Sequence, residues 1–299
     1  MSDAILVVGA NGFIGSRLTQ YLATEGHQVV AYCGRRPESA NMSWLPLDTP
    51  LTSPAFAAAG TVVWAAGAST PASSTNSPDL EYERNLRPLL AFMEASRQWA
   101  PRRVVFLSTG GAIYGDIDTG TAHERSPTEP KSYYSAGKAA AEAFLTAWAH
   151  QAGHDVTILR PSNVYGAGQP YKQGFGIVPT AFHAIRTGDP VVIRGDGNAV
   201  RDYLHVDDLV ELIWKVVVKP FVHGAAVYNA SSHEGMSLNS LFSLIRDATG
   251  HAVPCTYQPS RAFDVSRIVL DNALARATFR WTPEIGLSEG LIDAWTHFK

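Results

Sequence analysis

The chain opens on an unbroken apolar run, Ala4-Ile5-Leu6-Val7-Val8, with no polar position on either face. Such a run is a strand buried on both sides, the habit of a parallel sheet. It passes into Gly9-Ala10-Asn11-Gly12-Phe13-Ile14-Gly15, then into a helical pattern over 16–24 that Gly26 ends. A second strand follows over 28–33. Further apolar runs predict strands over 43–47, 61–67, 103–108 and 155–161, with helices over 80–99 and 134–151 among them. Strands alternating with helices predict an α/β fold with a doubly wound parallel sheet, its ligands at the carboxyl ends of the strands.

The glycines between the first strand and helix allow a tight turn and bring backbone N–H groups close to a pyrophosphate. Residues 1–166 are therefore expected to form a dinucleotide-binding domain. After Gly166 the pattern shifts to a helix over 178–186, a short strand over 191–194 and a Gly195-Asp196-Gly197-Asn198 turn. Helices over 206–218, 238–248 and 272–279 are joined by short strands. Segments 167–199 and 231–299 are expected to form a smaller mixed α/β cap, the second wall of a cleft. Residues 200–230 return to the first domain, with 200–218 and 227–230 rejoining its sheet.

Composition narrows the function. The 299 residues are 45% hydrophobic and 17% charged, an ordinary globular balance. A net charge of −3 without a Lys/Arg block argues against a nucleic-acid partner. Cys33 and Cys255 offer neither a disulfide framework nor metal-ligand spacing, so no metal is expected. The first strand leaves no room for a signal peptide, and no apolar run approaches the ~20 residues that span a bilayer. A cytoplasmic protein without a membrane partner is expected.

The candidate chemistry lies in Ser132-Tyr133-Tyr134-Ser135-Ala136-Gly137-Lys138. Tyr134 and Lys138 are four apart, on one helical face, whereas Tyr133 points elsewhere. An ammonium beside a phenol favours phenolate, so the spacing predicts a tyrosine base with a lowered pKa. A helix start with an ordinary surface lysine would carry the same pattern.

Taken together, the motifs resemble the extended short-chain dehydrogenase/reductases, in the branch of nucleotide-sugar epimerases and dehydratases. The likeness covers nearly the whole chain. It rests on Gly9-x-x-Gly12-x-x-Gly15, on Leu107-Ser108-Thr109-Gly110-Gly111-Ala112-Ile113-Tyr114-Gly115 and on Tyr134-x-x-x-Lys138. It rests also on Arg160-Pro161-Ser162-Asn163-Val164-Tyr165-Gly166, on Arg201-Asp202-Tyr203-Leu204-His205, and on Asp264-Val265-Ser266-Arg267.

The resemblance implies a Rossmann fold and a set of roles. Tyr134 is the acid/base and Lys138 holds the nicotinamide ribose. Gly9, Asn11, Gly12, Phe13, Ile14 and Gly15 cradle the cofactor. Asp48, the strand end Ala65-Ala66-Gly67, Ser108 and Pro161 line it, and Asn85 braces the catalytic helix. Gly110, Gly111, Asn163, Arg201, Tyr203, Arg261 and Asp264 are expected to face the substrate, with Asn163, Arg201 and Arg261 on its diphosphate. The loops 69–76 and 170–175 are expected to face the sugar. The helices beginning near Leu80 and Tyr134 imply a homodimer.

Two departures stand out. The acidic residue expected after the second strand is Cys33, followed by Gly34-Arg35-Arg36. Without a carboxylate to repel a 2′-phosphate, Arg35 and Arg36 lead to an expected preference for NADP over NAD. The family's catalytic Ser/Thr falls at Gly110, which leaves Thr109 to take the role. The acid and glutamate of the dehydratases fall at Gly111 and Ala112, which argues against dehydration. The expected function is C4 epimerisation of a UDP-hexose or derivative through a 4-keto intermediate. An NADPH-dependent 4-keto nucleotide-sugar reductase is the alternative, and a non-catalytic nucleotide-binding scaffold a third reading.

Overall fold

The computed structural model describes residues 4–37, 42–70, 73–74, 77–100, 102–261 and 264–298. Strand β1 (Ala4–Val8) leads into α1 (Phe13–Thr24), then β2 (Val29–Tyr32), β3 (Met42–Leu45), α2 (Pro54–Ala57) and β4 (Ala59–Trp64). Helix α3 (Pro78–Glu81), a π-helical turn (Tyr82–Leu86) and α4 (Arg87–Ala95) precede β5 (Arg103–Leu107). Next come α5 (Gly110–Ile113), the long α6 (Tyr133–Ala152) and β6 (Asp155–Pro161). The rest comprises β7 (Asn163–Tyr165), α7 (Ile177–Thr187), β8 (Val191–Arg194), β9 (Val200–His205), α8 (Val206–Val218) and β10 (Gly224–Ala230). It ends with β11 (Gly235–Ser237), α9 (Leu238–Thr249), β12 (Cys255–Gln258), α10 (Ala273–Phe279) and α11 (Leu287–Thr296).

Seven parallel strands form the main sheet in the order β10-β6-β5-β4-β1-β2-β3. The chain winds one way from β1 to β3 and the other way from β4 onward. The reversal opens a crevice between the ends of β1 and β4, where ligands bind in such sheets. The apolar strands still alternate. Ile5 and Val7 pack under α1 and α8 with Leu18, Leu22, Leu209 and Ile213. Leu6 and Val8 face α4 and α6 with Leu89, Phe92, Leu145 and Trp148. Each such side chain taken from water contributes about 1.5–3 kcal/mol before the entropy of ordering it.

Two differences from the sequence reading have physical causes. The helix expected over 80–99 is broken by the π turn at Tyr82–Leu86. Pro88 lies just beyond it and has no N–H to give, so the regular ladder cannot run through. Val200–His205 does not rejoin the main sheet. It is the middle strand of a three-stranded sheet, β11-β9-β7, while α8 and β10 do return to the main sheet. Strands β8 and β12 form a separate parallel pair. Among the described residues no helix is long and apolar enough to cross a membrane.

Candidate active site

The glycine turn makes the first wall of the crevice. Gly9 has φ +88°, and a β-carbon there would lie 2.7 Å from the Ala66 backbone at the end of β4. A β-carbon on Gly15 would fall 2.2 Å from the Gly9 carbonyl oxygen. Glycine alone permits both approaches. Gly12 caps α1 without a side-chain hydrogen bond, so the N–H groups of the first turn, through Phe13 and Ile14, are open to an anion. Asn11 Oδ1 accepts the Arg35 N–H at 2.9 Å, fixing the loop after β2. Ala65, Ala66 and Gly67 continue from β4 beside this turn, and Asp48 is exposed in the turn after β3. The cradle fits a dinucleotide diphosphate.

Helix α6 makes the second wall. Ser132 caps it, its hydroxyl accepting the Ser135 N–H, and the Ser135 hydroxyl bonds back to the Ser132 backbone. That cap fixes the first turn, where Tyr134 lies. The Tyr134 N–H donates to Ser74 Oγ at 3.1 Å, tying the helix to the loop after β4. Thr109, from the segment after β5, lies near enough to the Tyr134 phenol to favour its ionised form. Lys138, buried one turn on, donates from Nζ to the Leu107 carbonyl at 2.7 Å and lies over the Phe106 ring.

The charges differ from the sequence expectation. Burial pushes the Tyr134 phenol up to about 12, Thr109 opposes that rise, and Glu81 adds to it. Burial also pushes the Lys138 ammonium down to about 8, against the pull of Glu81 and Glu142. The lowered phenol expected from the Tyr134–Lys138 spacing is therefore not found here: burial is the largest influence on the phenol, and the Lys138 ammonium is turned to a backbone carbonyl.

Two carboxylates that the motif reading passed over hold this wall. Glu142 follows Lys138 by four residues on the same helical face, which is the signal that marks it in the sequence. It accepts from Ser108 and, bidentately, from Arg160. Arg160 also donates to the Tyr114 hydroxyl at 2.8 Å, which donates to Asn229 Oδ1 at 2.7 Å. Ser108 and Pro161 are buried at the carboxyl ends of β5 and β6. Glu81 accepts from Ser69 Oγ and Asn85 Nδ2, and Asn85 Oδ1 accepts the Ala68 N–H at 2.9 Å. Asn85 thus braces the loop after β4. The glycine at 137, inside a helix, was the sequence signal for a close neighbour there.

The residues expected to face the substrate are distributed unevenly. Gly110 is buried, and a β-carbon on it would lie 2.2 Å from Leu270 Cδ1. It therefore presents no face to a ligand. Gly111 lies open toward the Asn163 side chain, whose Nδ2 donates to the Asp202 carbonyl at 3.0 Å. Arg201 donates to the Val200 carbonyl at 2.9 Å and to the Val265 and Ser266 carbonyls. Burial lowers its pKa. Asp202, next along β9, points the other way and accepts from Ser232 and His233. Arg201 and Asp202 form no salt bridge, because neighbours in a strand face opposite sides. Tyr203, expected to face the substrate, is packed in the cap core with Val178, Phe182 and Leu241. Arg261 pairs with Asp264 at 2.7 Å, so both carry an internal partner. Part of the 69–76 loop lies outside the described residues; Tyr171, in the other expected sugar loop, stacks on His183 with ring centroids 3.7 Å apart.

The sequence profile of the "NAD dependent epimerase/dehydratase family" matches residues 5–231. The chain belongs to that family. It is 30% identical to a UDP-glucose 4-epimerase of Mycolicibacterium smegmatis over 98% of both chains. The Thermus thermophilus UDP-glucose 4-epimerase, solved in complex with NAD, superposes with a TM-score of 0.89 at 30% identity, covering 99% of this chain and 98% of that one. MoeE5, solved with UDP-glucuronic acid and NAD, superposes with a TM-score of 0.89 at 31% identity over 98% of both chains. The fold is thus Rossmann-like, and the chain is an enzyme rather than a scaffold.

These relatives overturn the expected preference for NADP. The family is NAD dependent, and both solved relatives hold NAD. Arg35 and Arg36 are exposed, and the Arg35 backbone bonds to Asn11 Oδ1 and Cys33 Sγ. Two arginines after a strand were read as a phosphate clamp; they are solvated side chains. The reductase alternative rested on them and loses its support.

Proposed function

We propose that the chain is a nucleotide-sugar epimerase acting at C4 of a UDP-hexose or a derivative, through a 4-keto intermediate. What supports this reading is the placement of Tyr134 beside Thr109 at the end of β5, next to the strand that ends in the glycine cradle's wall. NAD, when bound, supplies a hydride acceptor and then donor. Tyr134 takes the proton of the C4 hydroxyl and returns it, and Thr109 holds the oxygen and relays that proton. Because burial raises the phenol's affinity for a proton, Tyr134 is protonated at rest and must first lose that proton to solvent, a loss the Lys138 charge favours, before it can take the one on the C4 hydroxyl. Lys138 supplies the positive charge that favours transient phenolate and holds the nicotinamide ribose.

The cofactor half of this reading is residues 1–166 with α8 and β10; the remainder forms the substrate wall. Gly9, Asn11, Gly12, Phe13, Ile14 and Gly15 hold the dinucleotide, with the β4 end behind them. Arg201 and Asn163 take the substrate diphosphate. Arginine's planar fork suits phosphate oxygens, and its present partners are carbonyls. Gly111 and Ala112 place no carboxylate beside the sugar, which separates the reaction from dehydration.

A homodimer and a cytoplasmic location complete the proposal. Phe144 and Tyr82 are exposed on the helices that would pair, among alanines that permit close approach. Cys33 and Cys255 are free thiols, at home in a reducing compartment. Incubation with UDP-glucose or UDP-galactose, followed by anion-exchange separation of the sugars, tests the activity. No interconversion of any UDP-hexose tried would sink the reading.

A further inference from the structure

Glu81 is a buried acid that the proposed reaction does not use. It is 3% exposed and lies at the end of α3, against the helix that carries Tyr134 and Lys138. Its carboxylate accepts from Ser69 Oγ at 2.5 Å and Asn85 Nδ2 at 2.9 Å. Burying a carboxylate is unfavourable unless its charge is matched.

The catalytic helix makes room for it. Position 137 is glycine, in the interior of a 20-residue helix where glycine is disfavoured. A β-carbon there would lie 2.7 Å from both Cγ and Oε1 of Glu81. Gly137 lets the backbone meet the carboxylate one residue before Lys138. Lys138 donates to the Leu107 carbonyl and lies over the Phe106 ring, both of β5, and the carboxylates whose charge reaches it are Glu81 of α3 and Glu142 of its own helix. Glu142 is already matched by Arg160 of β6, at 2.6 Å.

We propose that Glu81 is a positioning residue of the acid/base pair: it supplies the negative charge that balances the buried Lys138 and ties Ser69 and Asn85 to the face of the catalytic helix. The proposal rests on the reading of Tyr134 and Lys138 as that pair. Removing the charge lets burial neutralise Lys138 at lower pH.

Glu81→Gln keeps the shape and hydrogen bonding and removes the charge. Lysine-selective 13C NMR reads the Lys138 titration directly, with Lys138→Met assigning the signal, so this arm needs no turnover. The midpoint is expected to fall by on the order of one pH unit, as one charge nearby in a partly buried site would shift it. The high-pH limb of kcat should move down with it while KM holds, and Glu81→Asp should stay near the wild type. An unchanged midpoint in folded Glu81→Gln overturns the proposal. Should that variant not fold, Gly137→Ala, which pushes the carboxylate away, must lower the same midpoint or the proposal fails. A shifted midpoint in a protein that epimerises no nucleotide sugar would sink the proposed reaction and leave the assignment of Glu81 standing.

Discussion

Leu270 stands where a side chain at position 110 would have to go. A β-carbon on Gly110 would lie 2.2 Å from Leu270 Cδ1 and 2.8 Å from the Arg160 carbonyl oxygen. The missing hydroxyl at 110 is therefore a packing consequence as well as a chemical one. Gly110→Ser should destabilise the fold by about 1–3 kcal/mol through overpacking. Adding Leu270→Ala should recover only part of that loss, since the carbonyl of β6 cannot move aside and the alanine leaves a cavity elsewhere. Thermal denaturation checks both. A Gly110→Ser protein that melts with the wild type would show that the site has room.

Thr109 then carries the hydroxyl chemistry. Thr109→Val keeps the shape and removes the hydroxyl beside the Tyr134 phenol. It should lower kcat by about 10²-fold, the low end for a positioned proton relay. Thr109→Ser should keep most of the rate. Tyr134→Phe should cost more, about 10²–10⁴-fold, and leave UDP-sugar binding intact by calorimetry. If Thr109→Val turned over at the wild-type rate, the relay would have to be a water.

How much of this was legible in the sequence follows from what kind of signal each part leaves. The strands were plain because the main sheet is buried on both faces and its runs are apolar throughout. The glycine cradle was plain because tight turns demand glycine at fixed spacing. The charge state of Tyr134 was not, because a four-residue spacing reports proximity and says nothing of desolvation. Glu81 was hidden for a related reason: its partners Ser69, Asn85 and Gly137 come from three segments that only the fold brings together. Arg35 and Arg36 misled because a charge pattern does not say whether solvent or a ligand will meet it. Tyr203 could be read either way, because a tyrosine in a motif looks alike whether it faces a cleft or a core, and the fold places it in a core.

Arg201 offers a test of the substrate wall. Its guanidinium is satisfied by the Val200, Val265 and Ser266 carbonyls, dipoles that orient it without cancelling its charge. Arg201→Ala should raise KM for a UDP-sugar by about 10–100-fold, the worth of one charge-assisted hydrogen bond lost. The effect on kcat should be smaller, because the diphosphate is held alike in ground and transition states. Arg201→Lys should recover little, since a single ammonium cannot reproduce the fork. A KM unchanged in Arg201→Ala would remove the residue from the diphosphate site.

Asp116 fixes the segment on which Arg201 rests. It pairs with Lys131, accepts from Ser266 Oγ at 2.7 Å and accepts the Arg267 N–H at 3.3 Å. Partial burial opposes its charge, but these donors outweigh burial and hold the carboxyl below the usual range. An aspartate in an unfolded chain titrates near about pH 4. With its folded value below that, Asp116 contributes stability that is fully present above about pH 4 and is lost as the pH falls through the folded value. Asp116→Asn should therefore melt below the wild type at pH 7, and the gap should narrow as the pH is lowered from about 4 toward about 2. KM for the UDP-sugar should rise as well, because Val265 and Ser266 lose their anchor. A melting gap that stays constant over that range would mean that the Asp116 charge contributes nothing, leaving only its shape to hold the segment in place.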